Sequence, residues 1–203
     1  EESPQFYVRV LGKFPPKGGD YQLVPEWLLE ETCEHEPEIE RGRHLGLDVA
    51  RSGTDYTVSV VMVDGRIESV LDWQTDDLME TARRAQKIAR EWGVDPTNVH
   101  VDLDGLGAGV VDRLREDGWG VDGVDFGSKV VGDWAWLIGH DVKLLNRRAE
   151  LHWVGRMALM NKHLSVPREW RKTLWKQLSW TNYEYREDGK LKMESKDKIR
   201  ARH

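Results

Sequence analysis

From His44 to Ile67 the chain alternates in a way that few folds satisfy. His44-Leu45-Gly46-Leu47-Asp48-Val49-Ala50 is an apolar strand pattern interrupted by one carboxylate. A small-residue turn through Arg51-Ser52-Gly53-Thr54 follows, then Asp55 to Val63, an Asp64-Gly65 turn, and Arg66 onward. The periods and the Asp-Gly pair predict three strands, over 44–50, 55–63 and 66–73, joined antiparallel by tight turns. An ionised acid in an apolar strand is costly unless its charge is compensated. Hard divalent cations take carboxylate oxygens, which makes Asp48 the first candidate for chemistry.

The pattern then changes period. Leu78, Ala82, Ala85, Ala89 and Trp92 fall on one face of a helix expected from Asp77 to Trp92, with Asp77 and Glu80 spaced as a capping box and Gly93 and Pro96 as stops. Asn98 to Leu103 reads as a fourth strand with Asp102 at its centre, and Gly120–Phe126 as a fifth. Helices are expected over 141–162 and 168–180, and a hairpin over Tyr183–Met193 turning at Glu187-Asp188-Gly189. Three hairpin-linked strands followed by strands alternating with helices predict an α/β fold: a mixed sheet flanked by helices, in ribonuclease H-like order, with an added C-terminal β-hairpin. In that order the first and fourth strands are neighbours, so Asp48 and Asp102 converge. Two adjacent carboxylates repel unless a cation lies between them, and two-metal phosphoryl chemistry uses such a cluster. Asp104 reads either as an auxiliary metal ligand or as a turn residue, and Asp55 as a turn or strand-start residue.

Several functions are excluded or discounted. The 203-residue chain has no run of the ~18 apolar residues that a membrane helix needs. Gly105-x-Gly107-x-Gly109 lacks dinucleotide-binding spacing, and Gly12-Lys13 and Gly189-Lys190 are not followed by Ser or Thr, so no ATPase phosphate loop is present. The one cysteine, Cys33, rules out an internal disulfide and reads as structural, and most of the ten tryptophans read as packing residues. Net charge is -6, but it is unevenly spread: residues 142–203 carry 16 Lys and Arg against 7 Asp and Glu. That basic third reads either as a phosphate-binding surface or as solvated helix faces. Its candidates for DNA contact are Arg147, Arg148, Arg168, Arg171, Lys172, Lys190 and Lys192, joined by Lys129.

The chain resembles the C-terminal nuclease domain of bacteriophage large terminase subunits over nearly its whole length. The resemblance rests on Phe6–Pro15, on Gly46-Leu47-Asp48-Val49-Ala50, and on Val101-Asp102 with Gly105, Gly107, Gly109, Val110, Val111 and Asp112. It rests also on Phe126–Lys129, Asn146–Leu151 and Glu194–Arg202. It implies a metal-dependent endonuclease for double-stranded DNA, with Mg2+ or Mn2+ held by Asp48 and Asp102, acting with a terminase small subunit, a portal protein and an ATPase domain of the same polypeptide, in the cytoplasm of an infected host. It also implies a lead-in over 1–43, a nuclease domain over 44–203, a third acid beyond His203 and a hairpin beside the active site that regulates access. Another ribonuclease H-like nuclease, such as a junction resolvase or exonuclease, and a non-catalytic DNA-binding or motor-docking module are the alternatives. An actin-like ATPase is too long for 203 residues.

Overall fold

The computed structural model describes residues 21–37, 40–50 and 55–202. The strand expected over Phe6–Leu11, the break at Pro15–Gly19 and the turn Arg51–Thr54 lie outside the described residues.

Five strands form one sheet: β1 (Arg43–Asp48), β2 (Thr57–Val63), β3 (Arg66–Trp73), β4 (Val99–Asp102) and β5 (Asp122–Val124), in the order β3-β2-β1-β4-β5. β1, β2 and β3 are antiparallel neighbours, and β4 and β5 run parallel to β1. This is the predicted ribonuclease H-like arrangement. Both β1 and β4 end sooner than expected, at Asp48 and Asp102. The acids are therefore not inside apolar strands but at the mouths of two adjacent parallel ones, where a carboxylate can reach water.

One face of the sheet carries α2 (Leu78–Trp92) and α3 (Gly107–Glu116). Leu45, Leu47, Val61, Val99 and Val101 pack there against Ala82, Ala85, Ala89, Val110, Val111 and Leu114. Each Val or Leu so buried contributes roughly 1.5–3 kcal/mol of transfer free energy. Asp77 caps α2 by accepting the Met79 N–H at 2.7 Å, and Gly93, at φ 63°, ends it in the left-handed conformation. The capping box is incomplete, because Glu80 accepts from the Thr75 hydroxyl and from Arg84 instead of reaching back to Asp77.

The other face is covered by α1 (Glu26–Thr32), α5 (Arg147–Met160), a helical run from Arg168 to Trp180, and the hairpin of β6 (Tyr183–Tyr185) and β7 (Leu191–Met193). Between β5 and α5 lies one turn of helix, α4 (Ala135–Ile138). The helix expected from residue 141 begins only at Arg147, since Lys143–Leu145 pair with the hairpin: Leu191 N–H donates to the Lys143 carbonyl and Leu145 N–H to that of Leu191. Asn146 then caps α5 through the Ala149 N–H at 3.0 Å. The second expected helix is one run in three pitches, a 3-10 turn at Arg168–Trp170, a π segment at Arg171–Trp175 and α6 (Lys176–Trp180). The described part of the lead-in belongs to this core: Leu23, Val24, Leu28 and Leu29 are buried, and Arg156 donates to the Gln22 and Leu23 carbonyls. The chain closes with α7 (Lys196–Arg202). Among the described residues, no helix is long and apolar enough to cross a membrane.

Candidate active site

β1 and β4 pair in register at Leu45↔Val99, Gly46↔His100 and Leu47↔Val101. The next step along both strands is Asp48 beside Asp102. Both line one open cleft of about 640 Å3, together with Asp55, Tyr56, Val58, Asp104, Gln177, Lys196 and Arg200. The candidate ligands Asp48, Asp102 and Asp104 thus share one cleft wall, with Asp55 nearby in the same lining.

Asp102 is buried and Asp48 is exposed. Burial pushes the Asp102 carboxyl above the ordinary carboxylate range, and the charges of Asp48 and Asp104 push the same way. The Asp104 N–H, donating to Asp102 Oδ1 at 2.9 Å, and the charge of Lys196 pull it back in part. This is the electrostatic signature of a buried acid beside other acids, a common mark of functional sites. Asp104 is thereby both a turn residue and a member of the cleft wall. Among the described residues, no three His, Cys, Asp or Glu side chains converge to form a metal-binding set.

The glycine-rich turn after β4 sets this geometry by packing, not by cradling phosphate. Gly105 takes φ 74°, and a Cβ on Gly107 would fall 1.7 Å from the Asp102 carbonyl oxygen. Only glycine lets α3 start so close to the strand that carries the acid. A Cβ on Gly109 would meet the end of the Leu78 side chain of α2 at 2.9 Å, a milder conflict.

The predicted basic residues separate into four groups. Arg168 and Arg171 are engaged with α1: Arg168 pairs with Glu30 at 2.9 Å and Glu34 at 3.5 Å, and Arg171 with Glu26 at 2.7 Å and Glu30 at 3.1 Å. They pair with the described part of the lead-in and are not among the cleft-lining residues. Arg147 pairs with Glu150 at 2.9 Å, and Lys192 and Lys190 pair with Glu184 and Asp188 within the hairpin. Lys129 and Lys172 are exposed away from the cleft lining. Arg148 is half-buried behind the acids; burial pushes its guanidinium pKa down and the charges of Asp104 and Glu194 push it up. Beside it His152, held by burial and the Arg148 charge at a pKa of about 4, is neutral at physiological pH and bonds the Arg148 carbonyl through Nδ1 at 2.8 Å.

The cations that do line the cleft, Lys196 and Arg200, are not in the predicted set. Their signal is the i, i+4 spacing, which puts both on one face of α7. The hairpin expected to border the site contributes no cleft residue; the helix after it does. Glu194, at the hinge between them, is buried and accepts two hydrogen bonds from Arg202, at 2.6 and 2.8 Å. Arg202 holds its carboxyl below the usual range against the opposing effect of burial. Glu150 is a second acid with a structural task. Burial pushes its pKa up, but hydrogen bonds from Trp134 Nε1, the Gly132 and Val131 N–H groups and Arg147 outweigh this and hold it low. Those bonds fix the loop between β5 and α4.

The sequence matches no protein-family model and no curated protein. Solved structures do match. The nuclease domain of the large terminase subunit gp2 of bacterial virus Sf6 is 18% identical over 89% of this chain and 90% of that one, with a TM-score of 0.68. A mutant of that domain with calcium gives 17% identity, 89% and 91% coverage and a TM-score of 0.68. The large terminase nuclease from thermophilic phage G20c with bound magnesium gives 14% identity, 88% and 89% coverage and a TM-score of 0.57. At these identities the likeness is one of fold: the chain has the ribonuclease H-like fold of terminase nuclease domains.

Proposed function

We propose that this chain is the nuclease domain of a phage large terminase subunit, a metal-dependent endonuclease that cuts concatemeric double-stranded DNA when genome packaging starts and ends. The observation that carries the reading is the placement of Asp48 and Asp102 side by side at the mouths of adjacent parallel strands, facing Lys196 and Arg200 across one cleft. The fold supports it, and solved domains of that fold are described with manganese, calcium and magnesium.

The donor set fits a hard cation. Asp102 is a buried carboxylate whose pKa is raised by burial and by the charges of Asp48 and Asp104, and all three acids line the cleft. Mg2+ is commonly held by one or two carboxylates, with water and substrate phosphate completing its shell. Asp48 and Asp102 would hold the ion, with Asp104 beside them. A divalent cation held there would supply a lowered water pKa and offset phosphate charge. The chain's own groups do the rest. The Asp104 N–H fixes the rotamer of Asp102, and Lys196 and Arg200 receive the phosphates flanking the cut. Gly107 holds α3 against the strand end so that the acid does not drift. DNA binding through phosphates is indifferent to sequence and falls steeply with salt. The surrounding motor supplies the other expected partners, namely the small subunit, the portal and the ATPase domain, in the host cytoplasm.

A second reading, a DNA-binding or motor-docking module without catalysis, is favoured by the absence of a third convergent acid among the described residues. Nicking of supercoiled plasmid in Mn2+ or Mg2+, with and without EDTA, separates the two. Cation-dependent nicking that Asp48→Asn abolishes supports the nuclease. Salt-sensitive DNA binding with no nicking in either cation supports the module.

A further inference from the structure

We infer that Tyr56 stacks on a nucleobase of the cut strand, next to the scissile phosphate, so that the cleft takes a locally unpaired strand and not an intact duplex. The inference rests on the nuclease reading and adds the form of its substrate.

Successive residues of β2 point to opposite faces of the sheet. Thr57, Ser59 and Val61 are buried toward α2 and α3. Val58, Val60 and Met62 point the other way, and Tyr56, just before β2, continues their row. Val60 and Met62 are covered by the second core, whereas Val58 and Tyr56 line the cleft. The apolar stripe thus runs out from under its cover into the site, and its last member is an aromatic ring 54% exposed.

Its position is set by register. Val58 is the partner of Asp48 across the β1–β2 ladder, and partners share a face. Two residues along a strand span roughly 7 Å, so Tyr56 sits about one nucleotide away from the candidate metal-holding acid. The other side chains around it are mainly ionic or polar: Asp48, Asp55, Asp102, Asp104, Gln177, Lys196 and Arg200. Nucleic acid presents two chemistries, anionic phosphate and flat apolar bases. Lys196 and Arg200 match the first and Tyr56 the second. The cleft, at about 640 Å3, is of the size that holds a small ligand or a nucleotide or two. Aromatic stacking on a base is worth roughly five- to hundredfold in affinity and does not depend on sequence.

The test measures binding of the 203-residue chain, with Ca2+ present, to a 30-base-pair duplex and to the same duplex with a short central bubble carrying 2-aminopurine. The wild type should bind the bubble about tenfold more tightly and quench the probe. Tyr56→Ala should lose both effects and Tyr56→Phe should keep them. Because stacking displaces no counterion, Tyr56→Ala should leave the slope of log affinity against log salt unchanged, whereas Lys196→Ala should flatten it. Tyr56→Ala with wild-type bubble preference or wild-type quenching overturns the inference and leaves the nuclease reading standing. A wild type that binds neither DNA overturns both.

Discussion

On the α2 and α3 face the buried core is aliphatic and small but for Trp73. Val, Leu and Ala from two regular helices meet alternate residues of four strands. On the opposite face the core is aromatic and ionic. Trp153, Trp175 and Tyr183 pack among segments from both ends of the chain, and pairs such as Arg171–Glu26 and Arg168–Glu30 hold the rim. The first face is built from one continuous stretch of chain, residues 45–121, and sets the two acids in register. The second is built from distant segments and supplies the cations that face those acids. The cleft lies where the two meet, so a change on one face should move different properties from a change on the other.

The largest expected effect tests the seam itself. Asp48→Asn or Asp102→Asn should lower plasmid nicking on the order of a hundredfold or more. In chelator the thermal midpoint of Asp102→Asn should stay level or rise, because the amide carries no charge into a buried site beside Asp48 and its oxygen still accepts the Asp104 N–H. Nicking at the wild-type rate would remove the acids from the mechanism.

Core truncations test whether the faces are separable. Trp175→Ala empties a fully buried site, frees the Val166 carbonyl and should cost about 3–5 kcal/mol. Gln177, two residues on, lines the cleft, so DNA affinity should fall as well. Leu114→Ala should cost about 2–5 kcal/mol and leave the DNA affinity of the folded fraction unchanged. Urea titration and fluorescence anisotropy measure both; equal losses of affinity would erase the distinction. Gly107→Ala, which sets a methyl against the Asp102 carbonyl, should cost about 1–3 kcal/mol and slow nicking in the folded protein.

A smaller effect is read from pH. Glu194 has a lowered pKa, so its pairing with Arg202 adds stability above the unfolded carboxylate pKa of about 4.3 and loses it as pH falls through the folded value. Arg202→Ala should lower the thermal midpoint at pH 7, with the gap to wild type closing below pH 4. A gap constant with pH would make the arginine a packing residue only. Smallest of all, Arg171→Ala breaks exposed pairs and should shift neither the midpoint nor the salt slope of DNA binding measurably.

The difference between the faces also explains what could be read from the sequence. β2, β3 and α2 follow from periodicity, Asp-Gly and capping signals, all local, and the convergence of Asp48 with Asp102 follows from the ribonuclease H-like strand order. The start of α5 does not, because Lys143–Leu145 are claimed by a hairpin some 45 residues later, and a non-local ladder overrides the helical pattern. Arg168 and Arg171 look like phosphate ligands until the fold lays the acidic α1 against them. Lys196 and Arg200 were hidden for the opposite reason: a charged helix looks solvated until its neighbours are known. Sequence charge shows how many cations a segment has, and only packing shows which carboxylate each one meets.

The clearance between Gly107 and the Asp102 carbonyl bears on how such a site could be transplanted. The strand end and the helix start occupy one shared volume, so the acid is held to position by an absent side chain. A designer who copied Asp48 and Asp102 onto another mixed sheet would carry over the charges but not the strand–helix contact that seats Asp102. The unit to graft is the strand, the turn with its left-handed Gly105, and the first turn of α3, taken whole. Drift within that unit is tolerated only at positions that leave the backbones room to touch.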